Sequence, residues 1–137
     1  MPFELFEHTA DLGLRVRAAS REELFADAAR GLFSMIVANL EDVRLVNEVH
    51  LQVEGRELDL LLFDWLSELL YTFESQRLVL ASFEVRLTDT GLQAIGRGEP
   101  MDPARHQLEH EVKAITYHAL CARRDGPGWM AELIVDI

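Results

Sequence analysis

From Leu58 to Phe73 the apolar residues Leu58, Leu61, Leu62, Trp65, Leu66, Leu69, Leu70 and Phe73 recur at helical spacing over about four turns. Such a stripe can only be stable if something covers it, so the rest of the chain must supply a surface to bury it. Asp59, Asp64, Ser67 and Glu68 fall on the other side and face water. Trp65 sits inside the stripe, which makes it a core residue rather than a ligand platform. A second stripe, Leu24, Phe25, Ala28, Ala29, Leu32, Phe33, Ile36 and Val37, pairs neighbours every four residues. Ser20-Arg21-Glu22-Glu23 precedes it as a capping box, so a helix is expected to begin there, with Asn39 as its terminator.

The other segments alternate with period two, as half-buried strands do. Phe3–Glu7 and Leu12–Ala18 flank a short loop, and Leu45, Val49, Leu51 and Val53 form a strand between the helices. Ala81, Phe83, Val85 and Leu87 lead through the turn Thr88-Asp89-Thr90-Gly91 into 92–98. Val112–Arg123 and Trp129–Ile137 close the chain as a pair joined around Asp125-Gly126-Pro127-Gly128. The order ββαβαββββ has no regular βαβ repeat, which predicts a two-layer α+β fold: a largely antiparallel sheet with both helices packed on one face. The long irregular stretch runs from Glu99 to His110, and long loops are often functional.

The chain is 137 residues long, which fits one domain spanning 1–137. The lone Cys121 excludes an internal disulfide and suits a reducing compartment. No signal peptide is visible after Met1-Pro2-Phe3-Glu4, and Asp59, Asp64 and Glu68 interrupt the longest apolar stretch, which disfavours a membrane span. These features predict a cytoplasmic protein. Twenty-four Asp and Glu against thirteen Lys and Arg leave a net charge of −11, which repels a phosphate backbone and disfavours tight direct nucleic-acid binding. An acidic surface suits a basic protein or a cation, though charge alone also serves solubility.

Three groups could carry chemistry. The first is His8-Thr9-Ala10-Asp11 between two strands, where Asp11 either supports a turn or ligates a metal, and His8 either ligates or fixes the loop. The second is the ending Val135-Asp136-Ile137, which gathers side-chain, main-chain and terminal oxygens suited to a hard cation. The third is a histidine set. His106 and His110 have a zinc-like spacing, but Pro103 and the missing helical stripe speak against a helix there. His118 in Lys113-Ala114-Ile115-Thr116-Tyr117-His118 reads equally well as a structural histidine. No HExxH, CxxC pair or phosphate-binding glycine loop is present.

Taken together, the HTAD opening, the 61–71 helix, Gly98-Glu99 with Asp102-Pro103 and His106, the segment Val112–His118 with its VKAITYH core, and the Val135-Asp136 ending resemble the archease family over essentially the whole chain. The resemblance implies an enzyme activator that is not itself an enzyme. Its partner would be the metal-dependent RNA ligase of tRNA splicing, whose guanylylation and multiple turnover it promotes. RNA would be met only through that ligase, and no membrane is involved.

Carried over by position, the resemblance assigns a divalent ion to the carboxylates of Asp11 and Asp136 and to a main-chain or terminal oxygen of Ile137. Calcium is the ion expected, with magnesium or manganese as alternatives in the cell. His8, Lys113 and His118 match further recurrent positions of the family. The rival reading is a small metal-dependent hydrolase using Asp11 and Asp136 with a histidine base. A deep pocket would favour the hydrolase, and a shallow exposed site the accessory protein.

Overall fold

The pattern that most needs burial, the pair of helical stripes, sets the architecture. The computed structural model describes residues 2–8 and 11–137, and for Glu7 and His8 the backbone alone. Strand β1 (Phe3–His8) turns back on β2 (Asp11–Ala18), and helix α1 (Arg21–Ile36) follows. A single 3-10 turn (Leu40–Asp42) leads to β3 (Asn47–Glu54) and helix α2 (Leu58–Gln76). Five strands complete the chain: β4 (Leu78–Thr88), β5 (Gly91–Pro100), the short β6 (Ala114–Ile115), β7 (Cys121–Asp125) and β8 (Gly128–Asp136).

The class is α+β, with two helices and antiparallel pairing throughout, as the sequence predicts. The strands divide into two sheets, however. One has the order β1-β2-β8-β6 with β7 also on β8, and the other is β3-β5-β4. The reason lies in the helices. All eight residues of the first stripe are buried, seven on α1 and Val37 just past its end, and the adjacent-pair pattern makes a face wide enough to meet two surfaces. On one flank a Leu14 methyl of β2 lies where a Cβ at Gly31 would be, so α1 approaches the first sheet closely. On the other, Phe33 stacks with Phe83 of β4 at 6.0 Å. Helix α2 likewise meets β3, β4 and β5 of one sheet and β6 and β7 of the other. Trp65 is fully buried, as its place in the stripe requires, and its indole N–H donates to the Phe25 carbonyl at 3.0 Å, tying α2 to α1.

Leu45 falls before β3, which begins at Asn47, and three further boundaries differ from the sequence reading. Helix α1 stops at Ile36, before Asn39, because the following chain supplies the missing donors for its last turn: the N–H groups of Glu109 and His110 bond to the carbonyls of Ile36 and Met35. Glu99 and Pro100 belong to β5, so the irregular stretch begins at Met101. Val112–Arg123 is two short strands around a loop rather than one strand. Thr116 turns its N–H and its hydroxyl onto the Ile134 carbonyl, and Ala119 adopts a left-handed conformation (φ 56), which breaks the extended path.

Among the described residues no helix is long and apolar enough to cross a membrane. The buried face of α2 should dominate stability. Leu66 is fully buried, so Leu66→Ala should cost roughly 2–5 kcal/mol in urea unfolding monitored by circular dichroism, with the native spectrum retained in water.

Candidate functional site

The register of the first sheet decides which side chains share its ends. In β2 the residues Leu12, Leu14 and Val16 are buried, and their cross-strand partners in β8, Val135, Leu133 and Ala131, are buried too. The intervening residues therefore lie on the opposite face. One row at the end of the sheet crosses four of its five strands: His8 pairs with Asp11, Asp11 with Asp136, and Asp136 with Ala114. Directly opposed residues on adjacent strands bring their Cβ atoms to about 4.5–5.5 Å. The two carboxylates that the sequence singles out, 125 positions apart, are thus neighbours on one surface. Asp136 is exposed and Asp11 half-buried. The His8 backbone belongs to this row, while the His8 side chain and Thr9-Ala10 lie outside the described residues.

The next rows fix that end of the sheet. A Cβ at Gly13 would collide with the Phe6 ring, so glycine lets the aromatic lie flat across β2. The Arg15 guanidinium sits 4.8 Å from the Phe6 centroid and bonds to Glu4 and Glu132, each at 2.9 Å. Glu4, Arg15 and Glu132 form a cross-strand row of their own, four residues along the same strands from the row of Asp11 and Asp136. Ile137 packs its side chain against the core, which holds its main chain at the end of β8.

The segment Lys113–His118 wraps the same strand end. Lys113 N–H donates to the Asp136 carbonyl at 2.8 Å, Thr116 holds the Ile134 carbonyl, and His118 N–H donates to the Thr116 hydroxyl at 3.2 Å. The side chains of Lys113 and His118 are exposed. Lys113 also borders a hollow of about 330 Å³ shared with Glu74, Arg77, His110 and Glu111.

His106 and His110 are not a zinc pair. The His106 side chain is fully buried; its Nδ1 accepts the Asp102 N–H at 2.9 Å, so Nε2 carries the proton and donates to Glu99 at 2.9 Å, leaving no lone pair for a metal. His110 instead follows α1 through its backbone. No group of three His, Cys, Asp or Glu side chains suited to a metal occurs among the described residues.

The residue that organises this loop is Glu99, to which the sequence alone assigns no role. Glu99 is buried and receives Arg105 at 2.6 Å, the Arg44 N–H at 2.9 Å and His106. Asn39 adds to the same clamp, donating to the Arg105 carbonyl at 2.9 Å and accepting the Gln107 N–H at 2.7 Å. The grouping of Glu99, Asp102 and His106 was visible in the sequence, but their contacts were not.

Burial alone would raise the Glu99 pKa, but the Arg44 N–H, His106 and Arg105 outweigh it and hold the carboxyl down at about 2, against an ordinary 4.5. A carboxyl with a depressed folded pKa stabilises the fold above its unfolded pKa, and that contribution is lost as pH falls through the folded value. Glu99→Gln should therefore be less stable than wild type at neutral pH. The gap should close between about pH 5 and pH 2 in thermal melts, and a gap independent of pH would contradict this account.

Known proteins resemble the chain along its whole length. A family model described as the Archease protein family (MTH1598/TM1083) matches residues 3–137. Protein archease of Methanopyrus kandleri is 40% identical over 141 residues, covering 100% of both chains. The solution structure of protein 1598 of Methanobacterium thermoautotrophicum superimposes with a TM-score of 0.86 at 29% identity, covering 99% of each chain. An archease of Thermotoga maritima, described as a possible chaperone, matches with a TM-score of 0.69 at 22% identity over 98% of this chain and 96% of that one, a likeness of fold alone.

Proposed function

Because the chain belongs to the archease family, we propose that it is an accessory protein that activates the RNA ligase of tRNA splicing, promoting its guanylylation and repeated turnover without catalysing a reaction itself. The observation that carries this reading is the pairing of Asp11 with Asp136. Directly opposed residues on adjacent strands bring their side chains close enough for one divalent cation to be shared by both carboxylates. The donors fit a hard ion: two carboxylates and the Ile137 main-chain oxygen, all oxygen, on adjacent strand ends. Calcium suits them, as do magnesium and manganese.

When bound, the ion supplies positive charge at an otherwise acidic sheet end. The protein's own residues do the rest. Asp11 and Asp136 are set by β2–β8 pairing, Lys113 fixes the Asp136 main chain, and His118 lies on the same wrapping segment. His8 stands beside Asp11 in register and is proposed to act with it. The exposure of Asp136 favours presentation to a partner over a hydrolase, whose chemistry would need an enclosed pocket. An acidic body of charge −11 favours meeting RNA only through the ligase, inside the cytoplasm.

The test is multiple-turnover ligation by the matching ligase. Asp11→Ala and Asp136→Ala should each remove most of the stimulation and weaken calcium binding in calorimetry, because each deletes one of two charged donors. Asp136 is exposed, so its replacement should shift stability by only about 0.5 kcal/mol or less. Full stimulation by both folded variants would refute the proposed site.

A further inference from the structure

The face of α2 turned away from the core is unusual for a solvated helix. Leu60 is 45% exposed and Tyr71 64% exposed on it, with Asp64 and Glu68 between them at helical spacing. Beside it Tyr117 is 65% exposed yet lies flat on Phe63, with ring centroids 4.1 Å apart and planes within 11°. An aromatic left this open but stacked face to face on a helix residue is already placed for a partner, and ordering it costs little when one arrives. Nothing basic shares the helix: Leu58–Gln76 contains Asp59, Asp64, Glu68 and Glu74 and no Lys or Arg.

We infer that this acidic aromatic face, formed by α2 and Tyr117, docks an arginine- and lysine-bearing surface of the RNA-binding enzyme that the protein assists. The inference rests on the proposed function for the partner's identity. A protein that grips RNA must carry clustered cationic side chains, and guanidinium groups both stack on aromatic faces and pair with carboxylates. Charge complementarity then selects this occupant over a second copy of the chain, which would set the same uncompensated carboxylates against themselves.

The position suits the task as well. Ala114 is the cross-strand partner of Asp136, and Tyr117 three residues later rests on α2, so a partner seated on the platform also touches the segment that borders the paired carboxylates. The exposed apolar residues Leu45 and Val46 precede β3 and lie outside this face, which provides a control.

The experiment measures binding of the full-length chain to the matching ligase by calorimetry, at low and raised salt, alongside multiple-turnover ligation. The double variant Tyr71→Ala, Tyr117→Ala should raise Kd by about tenfold or more, as loss of central aromatic anchors does. Asp64→Lys should weaken binding and flatten its salt dependence. Asp64→Lys should keep the wild-type melting behaviour, since Asp64 is exposed, and the tyrosine variant should remain folded with at most a modest loss of stability from the Phe63 stack. Both should regain full stimulation at saturating concentration because Asp11 and Asp136 remain. Val46→Ala should bind as wild type does.

Wild-type affinity in the tyrosine variant, with the wild-type chain binding and stimulating normally, overturns the docking surface and leaves the proposed function standing. A wild-type dimer that these substitutions dissolve, with ligase binding unchanged, overturns it in favour of self-association. Failure of the wild-type chain to bind or stimulate the ligase overturns both.

Discussion

Eight consecutive residue pairs join β2 to β8, and their inward members, Leu12, Leu14, Val16, Val135, Leu133 and Ala131, form the part of the core on which α1 rests. This pairing fixes everything at the site. A strand slipped by one residue would turn its apolar set to solvent, so the register is enforced by burial and not by the polar residues it juxtaposes. Several buried side chains, each contributing roughly 1.5–3 kcal/mol, outweigh the repulsion of one carboxylate pair on the outer face. Asp11 and Asp136 are therefore held together by residues that never touch them.

The other half of the site depends on a chain segment with almost no regular structure. From Met101 to Lys113 the path is fixed by backbone bonds to the end of α1 and by the buried cluster around Glu99. Burying a carboxylate is expensive unless each of its oxygens is satisfied, and here three donors converge on it. That cluster gives a loop a single course, which then delivers Lys113 and Thr116 to the carbonyls at the end of β8. A deletion in this loop would be felt at Asp136 even though the two are joined only through backbone.

What could be read from the sequence follows from the range of the interactions involved. The helices were legible because their stripes are local: every stripe residue of α1 is buried, and the Ser20 hydroxyl accepts the Glu23 N–H at 3.1 Å as the capping pattern requires. The Thr88–Gly91 turn was legible for the same reason, with the Thr88 hydroxyl accepting the Gly91 N–H. Val112–Arg123 reads as one strand in the sequence but is two, because Thr116 turns onto the Ile134 carbonyl and Ala119 is left-handed, neither of which a local pattern encodes. Asn39 looked like a helix stop because its real partners, Arg105 and Gln107, are more than sixty residues away. For the candidate site, the residue types at Asp11 and Asp136 suggested oxygen ligation, but their adjacency is a product of sheet register, which no local pattern encodes.

The distribution of charge separates the outer surface into two kinds of region. On the solvent faces of the sheets the acids are compensated: Arg15 bridges Glu4 and Glu132, and Arg97 bridges Glu48 and Glu84. Such pairs add little stability individually, and with one Arg between two Glu each cluster is only partly neutralised. On α2, by contrast, Asp64, Glu68 and Glu74 have no ion pair among the described residues. At the sheet end Asp11 and Asp136 stand directly opposite each other across β2 and β8. A sequence selected for stability alone would place some of its thirteen Lys and Arg residues at these positions, as it does elsewhere. Local choices that disagree with the fold's own energetics are retained where something outside the fold resolves them. At the sheet end a cation would do so, and along α2 a basic partner would. The acidic α2 face and the paired carboxylates meet at the Ala114–Tyr117 segment, so a single partner carrying positive charge engages both at once.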